Sequence, residues 1–563
     1  MRQINKYFVF SSLIYKSVSL LQLIILAYMF RSSAYFSQSF EQTQMRLIDD
    51  YAMQFGVYNF QSNMIGLDLQ RVFFYYEYAY GWLFWFVFGC LTLPFRLMFK
   101  YFPSQLSEQL LIISVRSVNI VIIFVTLLLL TKILRKILVK EMNFLKTTTS
   151  LLAITIILTP TFGYWSGRPM PPILAATILL LGIYIGIENR NIETNKILLV
   201  AAIFGLAIGI KINYLMYVPL CILLIIETRR TIYGDFRIKL GLNPIIFKTI
   251  FIFLLSIVFS LSPALLFDPI QGFPKVINTF NLFRSLSTSN QVGSFEQFLD
   301  NFVNGIVLSG FGFIPQLALF LVTLYLLFEK ISGKARKRSL GLLLIISLYI
   351  LICEILLSYH LGLGKIYVQS YSLPILLFLP IYFLIILREF MVNTRKILSL
   401  GISLFVLVMI NFTYTLKLND SSFPTIYAYQ YMDKQAHKAS LFKLQKEMQS
   451  EIKLGEQNIE IIQDYTLPTA WSGFRKQVAL TYAYNDWEKK SLKSNSHYLY
   501  LIIDRKNPKL RDDMSRESSL LHSNTSDQIL ENIISSRTFL DRNCKLEASR
   551  TRYFLFTCVP STS

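Results

Sequence analysis

The chain has 563 residues, of which 53% are hydrophobic and 16% charged, with a formal net charge of +21 and a mean hydropathy of +0.47. A soluble protein carries about 25% charged residues, and here the apolar residues are gathered into runs of roughly 17–25, long enough to cross a hydrocarbon core of about 30 Å. The composition excludes an ordinary soluble domain, and because the excess Lys and Arg falls largely in short loops between apolar runs, with no basic groove motif, it also argues against nucleic-acid binding.

The N-terminal MRQINKY leads into an apolar run with no small-residue cleavage site, which reads as an uncleaved first transmembrane helix. Spans are predicted near 8–30, 110–132, 148–163, 172–188, 196–211, 213–227, 248–267, 305–327, 339–358, 372–387 and 396–415, with a further apolar run at 80–95. That run decides the orientation of everything after it. If it does not cross, the loops KILRKILVKEMNFLK, ENRNIETNK, ETRRTIYGDFRIK, EKISGKARKRS and REFMVNTRK all lie inside, as the bias of basic residues requires; if it crosses, all face outward. The sequence therefore predicts that 80–95, with Trp82 and Trp85, lies as an amphipathic or re-entrant helix at the outer interface. The fold class is a polytopic α-helical membrane protein of about eleven transmembrane helices, N-terminus cytoplasmic. Between 196–211 and 213–227 the segment GIKINY predicts a tight turn or a broken helix.

From about 416 the composition turns polar, with strand-like runs IEIIQ, HYLYLIID and YFLFTCV and a helix-like SDQILENIISS. This predicts a membrane domain over 1–415, with a first outer loop at 31–109, and a small extracytoplasmic α/β domain over 416–563. Cys90, Cys221 and Cys353 fall in apolar segments and read as packing residues. Cys544 and Cys558 flank the last strand pair and are candidates for a disulfide, with two free thiols as the alternative. No zinc-ligand spacing is present, and no metal is assigned.

The outer loops hold the residues with chemistry to offer. Asp49 and Asp50, in LIDDYAMQFGVYNF, are candidate catalytic carboxylates, since transfer from a phosphate leaving group to a hydroxyl needs a base and an apolar membrane-edge site raises a carboxyl toward the working range. The alternative is that one of them caps a helix starting near Tyr51. Glu77, in YYEYAYG, is a second candidate acid or else a solvated interfacial residue. Arg168, in GYWSGRPMPP, can pair bidentately with a phosphate or snorkel to headgroups. Lys211 ends an apolar run on the outer side and carries the same two readings. His360, Lys365 and Tyr371, in YHLGLGKIYVQSY, gather a cation and hydrogen-bond donors for a donor phosphate. Arg116 reads as an interfacial anchor.

In this order these segments resemble the GT-C glycosyltransferases, in particular the branch of protein mannosyltransferases and aminoarabinose transferases, over roughly residues 8–390. The matching features are the acidic pair after the first helix, YYEYAYGWLFWF, the arginine in SVRSVNIVIIFVTLLLL, the R-P segment in GRPMPPILAATILLLGIYIGIE, the glycine-rich helix ending in lysine in AAIFGLAIGIKINYLMYVP, and KIYVQSYSLPILLFLP. Where many members have an acidic residue after the R-P arginine, this chain has Met170-Pro171. The resemblance implies a polyprenyl-phosphate sugar donor, an envelope glycan, lipid or protein acceptor, and an inverting transfer at the outer face of the membrane. Asp49 or Asp50 would serve as base, and Arg168, Lys211 and Lys365 would face the donor phosphate. A divalent cation is left open by the family's variable metal dependence. The competing readings are a transporter or flippase and a polymerase or ligase of lipid-linked saccharides; against the first stand the absence of an inverted repeat and the gathering of ionisable residues toward one face.

Overall fold

The computed structural model describes residues 20, 22–24, 27, 48–75, 80–102, 104–138, 169–188, 193–234, 244–274, 276–278, 295–300, 302, 313–331, 338–360, 365–390, 444, 447–448, 450–451, 459–463, 478–482, 498–504, 545–550 and 553–558. It divides into two compact units, one drawn from 1–35, 53–102 and 113–431, the other from 36–52, 103–112 and 432–563.

The helices are α1 (Ile48–Ile65), α2 (Leu69–Phe73), α3 (Trp82–Tyr101), α4 (Gln105–Leu138), α5 (Pro171–Gly186), α6 (Thr194–Ile210), a 3-10 turn (Ile212–Tyr217), α7 (Val218–Tyr233), α8 (Pro244–Leu261), α9 (Ala264–Phe267), α10 (Phe295–Asp300), α11 (Phe313–Ile331), α12 (Arg338–His360) and α13 (Lys365–Phe390). Among the described residues, four helical stretches are long and apolar enough to cross a membrane: Trp82–Tyr101, Gln109–Ile137, Ile212–Tyr233 and Gly341–Ser358. Shorter apolar helices accompany them, and exposed side chains such as Phe247, Phe251 and Leu254 on α8 form the outward face of an integral membrane protein. The expected spans at 148–163 and 396–415 lie outside the described residues. Of the first span, Gln22 is described: it is buried and donates to Thr131 Oγ1 of α4 at 2.9 Å.

The segment read as the first part of an outer loop is helical. Met53, Gly56, Val57 and Phe60 recur at helical spacing and are buried. They face α3, where a Cβ on Gly56 would meet the Trp85 ring at 2.5 Å and one on Gly89 the Phe60 ring at 2.6 Å. Gln61 donates to Gly89 O and Thr92 Oγ1 across the same seam. The chain returns from α1 through α2, where the Trp82 indole donates to Val72 O and the Tyr75 hydroxyl to Gly56 O.

α6 packs on α8 through Gly205 and Gly209. A Cβ at Gly205 would lie 2.4 Å from Phe253 O, and one at Gly209 2.5 Å from Ser260 Cβ. Small residues four apart let two helix backbones meet where lipid supplies no hydrophobic drive.

One end of the bundle is defined by cations and hydroxyls that close neighbouring helix C-termini. Arg229 of α7 donates to Gly186 O of α5 at 2.8 Å, and Lys136 of α4 to Glu188 O at 3.2 Å. Tyr233 donates to Glu188 O at 2.9 Å, and Arg388 of α13 to Ile137 O of α4 at 2.7 Å. Each satisfies a carbonyl left open by the helix end and favours the negative pole of its dipole. The C-termini of α4, α5, α7 and α13, which lead into four of the five basic loops, therefore meet at one end.

Arg116 corrects the sequence reading. It is fully buried, at 0% exposure, rather than anchored at an interface. The helix α4 starts at Gln105, so Arg116 lies about three turns inside it, on the face where Asn119 reaches Met170 O before α5, at 3.5 Å.

In the second unit, Ser104 and Ser107 exchange backbone-to-side-chain hydrogen bonds at the start of α4, at 2.9 and 3.2 Å. Strands β1 (Ile459–Gln463), β2 (Val478–Tyr482), β3 (Tyr498–Asp504), β4 (Lys545–Ser549) and β5 (Tyr553–Cys558) form one mixed sheet in the order β2-β1-β3-β5-β4. The first three run parallel, and β5 is antiparallel to both neighbours, with an irregularity between Leu546 and Ala548. Glu451 accepts from Arg550 and, at 2.7 Å, from Tyr553, fastening a helical segment to the last hairpin.

Candidate functional site

Opposite the cation-closed end, α6 stops at Lys211. Its backbone turns extended, at φ −143° and ψ 94°, and the chain continues as the 3-10 turn before Pro219 opens α7. The expected break thus falls on the lysine itself. The close approach of Gly81 fixes it: Gly81 N donates to Ile210 O at 3.1 Å, and a Cβ on Gly81 would lie 2.0 Å from Gly209 O and 2.7 Å from Ser260 O. Only a residue with no side chain fits there.

Lys211 is 4% exposed. Its ammonium lies 4.2 Å from the centroid of the Tyr371 ring and 5.3 Å from that of Tyr214, within cation–π range and therefore drawn to the electron-rich ring faces. Lys211, Tyr214 and Tyr217 follow one another at intervals of three, one 3-10 turn each, and the two tyrosine rings meet edge to face at 5.6 Å. The Tyr217 hydroxyl donates to Tyr371 O at 2.6 Å, and that of Tyr349 on α12 to Met216 O at 2.6 Å, so the turn is held to α13 and α12. The Tyr214 hydroxyl reaches Pro172 O of α5 at 3.4 Å. Pro171 and Pro172 occupy the first helical positions of α5, where a missing N–H costs nothing. The R-P segment, the lysine-ended helix and α13 therefore converge at one end of the bundle.

Of the predicted site residues, Lys211 and Tyr371 are brought together. Asp49 and Asp50 fall in the first turn of α1, which begins at Ile48, a place where carboxylates suit the helix dipole; their side chains lie outside the described residues. His360 closes α12 and Lys365 opens α13, again with side chains outside the described residues, as are Glu77, Arg168 and Cys544 altogether and the side chain of Cys558. Cys90, Cys221 and Cys353 are free thiols, the last two buried. Sequence reading missed Tyr214 and Tyr217, although K-x-x-Y-x-x-Y is legible once a 3-10 turn is assumed, and it missed Asn119 and Gly81. Among the described residues no group of three or more His, Cys, Asp or Glu could hold a metal ion.

No protein-family model matches the chain, and no curated protein does. Among solved structures, the chain is similar to ArnT from Cupriavidus metallidurans bound to undecaprenyl phosphate, at 12% identity over 96% of this chain and 98% of that one, with a TM-score of 0.46. It is similar to the apo form of the same protein at 12% identity over 95% and 97%, with a TM-score of 0.44. Likeness at that level carries no argument about chemistry.

Proposed function

We propose that this chain is a GT-C-type membrane glycosyltransferase that moves a sugar from a polyprenyl-phosphate donor to an envelope glycan, lipid or protein acceptor at the outer face. The observation that carries the reading is Lys211: a buried ammonium at a helix break, between two tyrosine rings, at the end of the bundle away from the basic helix ends. Ionisable groups kept at membrane depth serve a substrate path or a ligand charge more often than the fold. In this reading Lys211, with Arg168, Lys365 and His360 and beside Tyr371, neutralises the donor phosphate, which also makes the phosphate a better leaving group.

Asp49 or Asp50 takes the proton from the acceptor hydroxyl, with Glu77 as a further acid on the same side. About eleven helices span the membrane, N-terminus inside, with 1–415 as the membrane domain and 416–563 as an outer α/β domain. α3 is long enough and apolar enough to cross, but in this reading it lies at the outer interface, with its first turn meeting α6 and α8 through Gly81 and Trp82. Cys544 and Cys558 flank the pairing Lys545↔Thr557 on the side away from the turn, which supports a disulfide there; a mass gain of two alkyl groups only after reduction would establish it.

The test is to measure polyprenyl-phosphate sugars by mass spectrometry in lipid extracts of cells carrying the intact chain or Asp49→Asn with Asp50→Asn. Accumulation of one lipid-linked sugar at unchanged protein level is expected, and it names the donor. Unchanged lipids and an unchanged envelope glycan would make the acidic pair structural and move the transporter or a purely structural reading ahead.

A further inference from the structure

At the cation-closed end, Lys132 and Lys136 of α4 share one aromatic ring. Their ammonium groups lie 5.6 and 5.0 Å from the centroid of Tyr184 on α5. Like charges at i and i+4 repel, and Lys196 adds a third cation, ion-paired to Glu188 at 3.9 Å. Lys136 also donates to Glu188 O, so the pair is held at the α4–α5 seam.

The same face of α4 continues away from this end as Leu128, half-buried, then Val125 and Val121, exposed by 42% and 58%. Residues 121, 125, 128 and 132 follow helical spacing and form one stripe. From Val121 to Lys132 the stripe is about 16 Å long, close to one leaflet of a hydrocarbon core of about 30 Å. An apolar track of leaflet length that ends in two cations on a ring has the dimensions of one phospholipid.

We propose that the α4–α5 seam is a binding site for an anionic phospholipid of the leaflet at the basic end of the bundle. The acyl chain lies along Val121, Val125 and Leu128. The headgroup phosphate sits against Lys132 and Lys136, offsetting their mutual repulsion, with Tyr184 at headgroup level. This site is separate from the Lys211 site and does not depend on the proposed activity.

The test is native mass spectrometry of the full chain released from nanodiscs of mixed phosphatidylglycerol and phosphatidylcholine. Retention of phosphatidylglycerol in preference to phosphatidylcholine is expected. Lys132→Gln with Lys136→Gln should cut it roughly thirtyfold, and Lys132→Arg with Lys136→Arg should keep it. Should the double glutamine variant fail to fold, exposed Lys132→Gln alone is read for a partial loss in the same direction. Val125→Trp, which fills the apolar track, should weaken the lipid with both lysines present. Equal retention of the two lipids, or a glutamine variant that binds as well as the original, would overturn the site. Displacement by glycerol 3-phosphate would do so too, since that would assign it to a free phosphate ester.

Discussion

The ammonium of Lys211 rests 4.2 Å from the ring centroid of Tyr371, a residue 160 positions away in sequence. The contact joins the break after α6 to the second turn of α13, and it makes the lysine the hub of the proposed donor site. Lys211→Gln shortens the side chain by one atom, keeps a polar end and removes the charge. If Lys211 faces the donor phosphate as proposed, loss of one charge-assisted contact should weaken polyprenyl phosphate binding by roughly ten- to hundredfold. Titration of the lipid into the purified chain measures this, and unchanged affinity would remove Lys211 from the site.

The Tyr371 ring can be separated from its hydroxyl. Tyr371→Phe keeps the face that holds the ammonium, whereas Tyr371→Leu loses a cation–π contact of about 1 kcal/mol. The leucine variant should bind the same lipid about fivefold less tightly, and the phenylalanine variant much closer to the original. Equal losses in both would mean that the hydroxyl, not the ring, matters.

Gly81 tests whether the backbone junction sets the lysine. Its Cβ would lie 2.0 Å from Gly209 O, a backbone atom that cannot swing aside. Gly81→Ala should therefore destabilise the purified chain by about 1–3 kcal/mol and weaken lipid binding with it. A thermal melt in detergent measures the first effect; an unshifted midpoint would show that the junction yields.

Tyr553 gives a pH dependence outside the membrane segments. Burial first, and then its hydrogen bond to Glu451, push its hydroxyl above the ordinary 10.0. The folded state holds the proton more tightly than the unfolded one. The stability contributed is whole below pH 10 and is lost as pH rises through the folded pKa. Thermal unfolding between pH 8 and 11 should fall more steeply for the original chain than for Tyr553→Phe, and parallel curves would refute the linkage.

The sequence by itself determined the class and much of the order. Apolar runs of membrane length depend on local composition, and so were legible: most of the described helices fall on predicted spans, and the break at Lys211 could be read from GIKINY. The strand runs IEIIQ, YLYLIID and YFLFTC were legible for the same reason. Only the tertiary structure decided what depends on who lies opposite. It made 48–65 a helix, because its stripe of Met53, Gly56, Val57 and Phe60 finds a partner in α3. It buried Arg116, which its place near the outer start of a predicted span made an interfacial anchor. It chose Tyr371 from the residues of the outer loops and added Tyr214, Tyr217 and Gly81, because a cation–π contact across 160 residues and a glycine pressed on another backbone leave no local periodicity to read.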